Sequence, residues 1–304
     1  MKAKQILFIG LSSVGDVIMT SPVLQSLNNK YPEAVMDVIG DNRSREIYKQ
    51  IPFVRDVYIK DKNKPLRGAP DLIKQLWKRR YDLIVDVRTD GLAYLLRGKR
   101  KYTKWFKKSY GEHAVEDLMG VIFSIHGNEP IGHTKIWLAE NHRDYANEKL
   151  SCFDAGRVLA LSVGTEDKLF KTWPEEKFIE LCNLHKDDFS GVVFLGNEQE
   201  LERTEKIIEQ INIPSLNTAG NSLLEAAALL EKVFLYIGPD SGLGHIASAM
   251  NTNTISFFSV VSPARYKPWG EKAAYVVGEN NDARNIPVDS VSKLVDRVLD
   301  NKAG

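Results

Sequence analysis

The chain has 304 residues, 43% of them apolar and 27% charged, and 41 Lys+Arg against 40 Asp+Glu give a net charge of +1. This composition excludes a mainly disordered or low-complexity chain, and a chain without a basic excess is not expected to bind nucleic acid. The length predicts two domains, because a domain takes roughly 150 residues.

Cysteine usage and hydropathy bear on the compartment. Cys152 and Cys182 do not make a disulfide framework, and no Cys/His cluster has zinc-ligand spacing. No uninterrupted apolar run approaches the roughly 20 residues that span a bilayer. We therefore predict a cytoplasmic protein with reduced thiols.

Short apolar runs alternate with amphipathic stretches, a pattern typical of parallel α/β folds. The first half predicts strands at 5–9, 36–40, 54–59 and 83–87, with helices from the first turn to residue 27 and over 71–79. The second half predicts strands at 157–162, 192–196, 233–238 and 254–258, and a last helix at 290–299. We therefore predict two doubly wound parallel-sheet domains, 1–150 and 151–304, joined between 140 and 156. Ligands of such a pair are expected in a cleft at the carboxyl ends of the strands.

The turn after the first strand reads GLSSVGD over residues 10–16. It matches neither the dinucleotide-binding glycine pattern nor a P-loop, but its small residues let the backbone approach a ligand closely. Asp16 falls in the first turn of the following helix, where the helix dipole keeps a carboxylate ionised. The turn leaves two interpretations of Asp16 open, a helix-capping residue and a general base.

A second strand-to-helix turn reads YIGPDSGLGHIA over residues 236–247. Asp240 or Ser241 would cap the helix, and the N–H groups of Ser241, Gly242 and Leu243 would suit a diphosphate. A helix start without a ligand is the alternative, and His245 by itself is more typical of a structural histidine.

Two further turns of the second half end in polar residues. Thr165 and Lys171 follow its first strand and could reach the same phosphates. Glu198 and Glu200 follow its second strand, where a carboxylate often binds a ribose hydroxyl. An exposed, charged helix start is the alternative for this pair.

Cations are concentrated at 97–108, where they alternate with aromatic residues. The cations are Arg97, Lys99, Arg100, Lys101, Lys104, Lys107 and Lys108, and the aromatic residues are Tyr102, Trp105 and Phe106. Such a face suits an anionic acceptor or the surface of an anionic membrane. A solvated face without a partner is the alternative.

Together, LSSVGD at 11–16 and DSGLGHIA at 240–247 resemble the heptosyltransferases of glycosyltransferase family 9, which transfer an ADP-activated heptose onto the inner core of lipopolysaccharide. The resemblance covers nearly the whole chain, since KTWP at 171–174 and GNSLLE at 220–225 also fall where the family has counterparts. It implies a GT-B fold with two Rossmann-like domains, the acceptor bound by the first and the nucleotide sugar by the second.

The resemblance also implies roles for individual residues. Asp16 would be the catalytic base, Lys171 with Thr165 would contact the phosphates, and Glu198 would face the nucleoside, with Glu200 as second choice. The donor would also be held by Asp240, Ser241, Gly242, Leu243 and His245. The acceptor side would comprise Ser12, Ser13, Gly15, Arg88, Arg97, Lys99, Arg100 and Lys104. Arg88 stands where many relatives have Gln, so the donor is better defined than the acceptor.

The implied reaction is a single displacement with inversion, in which ADP-heptose is a co-substrate and no cofactor or metal takes part. The sequence contains no Asp-x-Asp triplet, which argues against the metal-chelating carboxylates of other nucleotide-sugar transferases. The partners expected are the nucleotide sugar and an anionic glycolipid. Peripheral contact with the cytoplasmic face of the inner membrane is also expected, but no obligate protein partner.

Other functions stay open at this point. One is a glycosyltransferase of the same fold that uses another nucleotide sugar or a different acceptor. Another is a non-catalytic nucleotide-sugar binder, in which Asp16 would have no catalytic role. A nucleotide-linked oxidoreductase would need a glycine-rich dinucleotide turn, which the sequence lacks.

Overall fold

The computed structural model describes residues 3–60, 68–154, 156–164 and 170–300. The chain divides into two compact units, Met1–Trp137 and Leu138–Gly304. The division lies before the 140–156 interval expected from the sequence, and the helix Glu140–Leu150 belongs to the second unit. There the Arg143 guanidinium pairs with Glu231 at 2.9 Å. Among the described residues, no helix is long and apolar enough to cross a membrane.

The amino-terminal unit is built on a parallel sheet of strand order β3-β2-β1-β4-β5. Its described strands are β1 (Gln5–Ile9), β2 (Val35–Gly40), β3 (Val54–Ile59), β4 (Tyr81–Asp86) and β5 (Gly98–Thr103). Its described helices are α1 (Val14–Met19), α2 (Ser21–Lys30), α3 (Arg45–Lys49), α4 (Gly68–Leu76), α5 (Leu92–Leu95), α6 (Ala114–Met119) and α7 (Phe123–His126). β1 is the central strand, and burial on both faces explains why it is a continuous apolar run.

The carboxyl-terminal unit has a parallel sheet of order β11-β10-β9-β6-β7-β8. Its described strands are β6 (Val158–Leu161), β7 (Gly191–Phe194), β8 (Ser215–Asn217), β9 (Leu235–Pro239), β10 (Asn253–Phe258) and β11 (Ala273–Val277). Its described helices are α8 (Glu140–Leu150), α9 (Glu175–Leu184), α10 (Leu201–Ile208), α11 (Leu223–Lys232), α12 (Gly242–Ala249), α13 (Pro263–Tyr266) and α14 (Val288–Asp300). Its core includes Trp173, whose ring centroid lies 5.1 Å from that of Phe178 and 4.9 Å from that of Phe257. The two parallel α/β units confirm the predicted fold class.

Strands predicted from apolar runs are confirmed, with small shifts at their ends, but β5, β8 and β11 were not predicted. Each of these three is an edge strand, covered on fewer sides, and none carries a long buried apolar run. The prediction of a single helix up to residue 27 was also wrong. It is two helices, α1 and α2, with Thr20 between them and Pro22 in the first turn of the second. Proline favours that position because its fixed φ suits a first turn and its missing N–H is not needed there.

Each sheet reverses its strand order at one point. In the amino-terminal unit the reversal lies between β1 and β4, and in the carboxyl-terminal unit between β6 and β9. The loops that leave the carboxyl ends of such strands diverge to opposite faces and open a crevice, which is where ligands of these sheets bind. The segments 10–16 and 87–90 border the first reversal, and 162–164 and 240–243 border the second.

Candidate active site

The catalytic candidate Asp16 is the third residue of α1, which starts directly after the turn that follows β1. Ser13 is the N-cap: its Oγ accepts a bond from the Asp16 N–H at 3.3 Å and donates to the Asp16 carboxylate at 2.6 Å. Asp16 is therefore not the capping residue itself. Its Oδ2 binds Ser13, whereas its Oδ1 makes no hydrogen bond to the described residues, and the side chain is only half-buried. One carboxylate oxygen is thus available to a ligand.

Arg88 extends from the end of β4 across to the turn after β1. Its Nε donates to the Gly10 carbonyl at 3.1 Å, and its Nη2 donates to the Ser12 hydroxyl. Ser12, Ser13, Asp16 and Arg88, four of the residues assigned to the acceptor side or to catalysis, therefore lie around one turn. Gly15 is half-buried in the first turn of α1, beside Asp16.

Asp86, at the carboxyl end of β4, was not singled out from the sequence. Its Oδ1 accepts the N–H groups of Arg88 at 2.9 Å and Thr89 at 2.7 Å, which fixes a turn in which Thr89 has a φ of 59°. Within the described ranges its buried Oδ2 has no hydrogen-bond partner, and burial raises the pKa of this carboxyl. The signal that could have found Asp86 is its position at the end of the strand beside β1.

Lys104 joins this edge from the end of β5. The pairing of Asp86 with Thr103 places the next residue at the same edge, and the Lys104 N–H donates to the Thr89 hydroxyl at 3.2 Å. Burial lowers the pKa of the Lys104 ammonium, while the charges of Asp117, Asp16 and Asp86 oppose that shift. Lys104 therefore places a positive charge in the surroundings of Asp16.

The other cations assigned to the acceptor side are not brought to this edge. Lys99 pairs with Asp82 at 2.6 Å, near the amino ends of β5 and β4. Arg97 lies just before β5 and stacks over Trp77, with 5.0 Å between its Cζ and the ring centroid. Arg100 is exposed on β5 opposite Leu83. Arg97, Lys99 and Arg100 are close to Lys104 in the sequence, and this grouped the four cations. In the structure, β5 separates these three residues from Lys104.

The donor candidates lie at the strand reversal of the carboxyl-terminal unit. Ser241 is the N-cap of α12 with extended backbone, yet its hydroxyl makes no capping bond and is buried with no well-aligned hydrogen-bond partner among the described residues. Gly242 and Leu243 begin the helix, so their N–H groups lie at its positive end. The Lys171 ammonium pairs with Asp240 at 3.4 Å. One cation, one N-terminus and one unsatisfied hydroxyl thus lie together, as an anion site requires.

Further hydroxyl groups lie beneath α12. Tyr236 and Ser256, on β9 and β10, have buried hydroxyls without a well-aligned partner in the described part of the chain, and burial raises the pKa of Tyr236. A Cβ on Gly244 would lie 3.1 Å from the Ser256 Oγ, so a glycine allows the helix to approach the sheet closely here. His245, on the same turn, is buried with 7% of its surface exposed.

Glu198 and Glu200 differ sharply in environment. Glu200 is 6% exposed, accepts the Asn197 amide at 3.0 Å through Oε1, and leaves Oε2 without a partner. Burial raises the pKa of this carboxyl. Glu198 is exposed, next to the turn at Gly220, whose φ is 91°. Glu198 is therefore accessible to a nucleoside and Glu200 is not. Thr165 lies outside the described residues.

Arg203 braces the segment that carries Lys171. Its Nη1 donates to the carbonyls of Val163 and Gly164 at 3.0 and 3.1 Å, and its Nη2 donates to the Trp173 carbonyl at 2.7 Å. Sequence reasoning missed this residue because the partners are backbone carbonyls. Among the described residues, no group of three or more His, Cys, Asp or Glu could hold a metal ion.

Comparisons with known proteins identify the family of the chain. The model of glycosyltransferase family 9 (heptosyltransferase) matches residues 86–294. Lipopolysaccharide heptosyltransferase 3 of Escherichia coli K12 is 26% identical over 296 residues, covering 84% of this chain and 83% of that protein. Lipopolysaccharide core heptosyltransferase OpsX of Haemophilus influenzae is 27% identical over 288 residues, covering 88% and 82%.

Solved structures show the same fold. A family 9 glycosyltransferase of Veillonella parvula superposes with a TM-score of 0.87 at 19% identity, over 99% of both chains. The heptosyltransferase WaaC of E. coli, solved with ADP, gives 0.78 at 18% identity, over 97% of this chain and 99% of that one. Since the family model spans more than half of the sequence, the chain belongs to glycosyltransferase family 9 and is a glycosyltransferase.

Proposed function

We propose that this protein transfers heptose from ADP-heptose to the core of a lipopolysaccharide or lipooligosaccharide, with inversion and without a metal. The observation that carries the proposal is that the candidate base and the candidate anion site each lie at a strand reversal of one unit. The family and the printed functions of the relatives, which are lipopolysaccharide heptosyltransferases, support the choice of sugar and acceptor.

The proposed role of Asp16 is to accept the proton of the acceptor hydroxyl as this attacks the anomeric carbon of the heptose. Its Oδ1, which binds none of the described residues, is the atom that would take the proton, while Ser13 holds Oδ2. A positioned general base accelerates such a step by about 10²–10⁴-fold. Lys104 adds a cation whose charge favours the ionised form of nearby carboxylates.

The proposed leaving group is ADP, whose negative charge grows as the bond to the heptose breaks. The N–H groups at the start of α12, the Ser241 hydroxyl and Lys171 would receive that charge. Preorganised donors of this kind stabilise a developing anion because they need little reorganisation during the reaction. Asp240 would hold Lys171 in place before the diphosphate binds.

The acceptor would be an anionic glycolipid bound by the amino-terminal unit, near Arg88 and Lys104. Arg88 is held by Gly10 and Ser12, so its planar guanidinium is oriented before a carboxylate or phosphate arrives. A glycolipid is anchored in a bilayer, so the enzyme would work at a membrane surface.

A ligand panel tests the donor class. Thermal unfolding is measured with ADP, UDP, GDP and NAD at equal excess, because a ligand at 100 times its dissociation constant adds about 2.7 kcal/mol to the unfolding free energy. We expect stabilisation by ADP that the Lys171→Ala variant reduces. Stabilisation by UDP alone would contradict the proposed donor and indicate another sugar nucleotide.

Transfer itself is tested with ADP-heptose and a heptose-deficient core lipopolysaccharide, following release of ADP in the presence of a chelator. We expect turnover that depends on the acceptor, and a product of inverted anomeric configuration by NMR. Loss of turnover on chelation, restored by a divalent cation, would contradict metal independence.

A further inference from the structure

The outer edge of the amino-terminal sheet carries large apolar side chains that face solvent. Five of them form what we call the aromatic patch, with exposed fractions from 43% to 81%. They are Trp77 (47%), Tyr94 (43%), Leu95 (58%), Trp105 (64%) and Phe106 (81%). Single exposed apolar residues are ordinary, whereas a contiguous group marks an interaction surface.

Contacts among its members make the patch contiguous. The rings of Tyr94 and Trp105 are stacked, with centroids 5.2 Å apart and planes inclined by 16°. The Trp77 indole donates to the Leu95 carbonyl at 2.8 Å, which ties the end of α4 to α5. Trp105 and Phe106 belong to a short 3-10 helix, Lys104–Phe106, that directly follows β5. Two tryptophans are thus held on the surface by specific contacts.

Cations are interleaved with these rings. The Arg97 guanidinium lies 5.0 Å from the Trp77 ring centroid, and the Lys101 ammonium lies 5.6 Å from that of Tyr94. Within the described ranges, neither Arg97 nor Lys101 forms an ion pair with a carboxylate, unlike Lys99, which pairs with Asp82. The surface therefore presents positive charge that the described residues do not neutralise.

Protection of an open sheet edge explains only part of this surface. Lysines on an edge strand such as β5 discourage pairing with a second chain. That account predicts polar neighbours, because exposed aromatic rings would promote association. Surfaces that lie at a membrane interface instead combine amphipathic or apolar rings with unpaired cations.

We propose that the aromatic patch, with Arg97 and Lys101, docks this protein on an anionic lipid bilayer. The rings enter the headgroup region and the cations meet lipid phosphates. The proposal rests on the proposed function only in taking a glycolipid as acceptor. The 3-10 helix then connects the two sites: Lys104 lies half-buried within the electrostatic reach of Asp16, while Trp105 and Phe106 are exposed. The bilayer would lie close to the base.

The test is co-sedimentation of the full chain with vesicles of phosphatidylcholine mixed with anionic phosphatidylglycerol, and with vesicles of pure phosphatidylcholine. We expect binding to the anionic vesicles, and salt to weaken it. Trp105→Ser/Phe106→Ser should weaken binding about tenfold or more, since removing each ring loses apolar burial. Arg97→Gln/Lys101→Gln should weaken it by more than tenfold, because each cation near an anionic surface contributes about a fivefold factor.

Matched controls lie in the other unit. Leu184→Ser removes an apolar side chain that is 59% exposed, and Lys186→Gln/Lys232→Gln removes two exposed charges. Both should bind vesicles like the wild type. Equal losses in the patch variants and these controls would overturn the proposal, as would absence of vesicle binding by the wild type. Self-association that the patch variants abolish, without any vesicle binding, would also overturn it and assign the surface to a second copy.

Measuring ADP binding distinguishes a failure of the docking proposal from a failure of the proposed function. Stabilisation by ADP, measured on every variant, shows that the patch variants are folded and that their donor site is intact. Vesicle binding by a protein that does not transfer heptose would refute the proposed function and leave the docking surface standing. Transfer by a protein that ignores anionic vesicles would do the reverse.

Discussion

Replacing Asp16 by Asn separates its two interpretations, because the capping bond and the base involve different atoms. The carboxamide can still accept the Ser13 hydroxyl, which now lies 2.6 Å from Oδ2, but it cannot take a proton from an acceptor. We expect the turnover number to fall by about 10²–10⁴-fold, the range for a general base. ADP binding should be nearly unchanged, since the anion site is built on α12 of the other unit.

Ser13→Ala is the matched control. It removes the N-cap and the bond to Asp16 while leaving the carboxylate, at a cost of about 1 kcal/mol in unfolding free energy. Because domains have about 5–15 kcal/mol of stability, that loss leaves the protein almost entirely folded and cannot account for a hundredfold loss of turnover. The assay is single-turnover transfer from ADP-heptose, with thermal unfolding run alongside. If Asp16→Asn keeps more than about a tenth of wild-type turnover, or Ser13→Ala loses as much, the base assignment is wrong.

Three other predictions concern charge and packing. Lys104→Gln should raise KM for an anionic acceptor, and more so at low salt than at high salt. Lys99→Gln should leave KM unchanged, because Lys99 is paired with Asp82. Equal effects of the two variants in steady-state assays would contradict the distinction drawn between the two ends of β5. Arg203→Met should lower the unfolding free energy in urea by about 2–4 kcal/mol, because it leaves two buried carbonyls and one partly buried carbonyl without their donor. The exposed Arg284→Met should change it little, and similar losses in both would be contrary to this account. Burial raises the pKa of Glu200, so the folded state holds its proton at a pH where the unfolded state has lost it, and stability from this group falls as pH rises through that interval. Glu200→Gln should therefore raise Tm at pH 8 more than at pH 4, and a uniform shift in thermal unfolding would refute the assignment.

The fold was predictable because apolar runs report burial directly. β1 and β9 are central strands covered on both faces, so they read as uninterrupted apolar segments. The segment at β5 reads as a basic run, since an edge strand with exposed faces needs no apolar pattern. Sequence patterns therefore located the buried strands and the apolar edge strand β3, and missed the three edge strands without an apolar run.

The site was predictable where its residues follow strands directly, and not where partners come from distant segments. Asp16 and the Asp240–Leu243 turn each follow a strand next to a reversal, and the rule for parallel sheets locates both. The orphaned Oδ2 of Asp86 depends on the turn that Arg88 and Thr89 form around it, and the bracing by Arg203 depends on carbonyls 30 to 40 residues away. No local pattern encodes either.

The basic segment shows why proximity along a strand is a poor guide to shared function. A strand rises about 3.3 Å per residue, so the six residues of β5 separate its two ends by roughly 17 Å. Lys104 at one end lies among Asp16, Asp86 and Asp117, whereas Arg97 at the other stacks on an exposed tryptophan. A single run of cations thus serves two environments, one facing candidate catalytic carboxylates and one facing solvent. Exposed rings lie at both ends, Trp77 beside Arg97 and Trp105 with Phe106 directly after Lys104. Substitution of Lys104 should therefore change acceptor affinity, whereas substitution of the neighbouring rings should change membrane affinity.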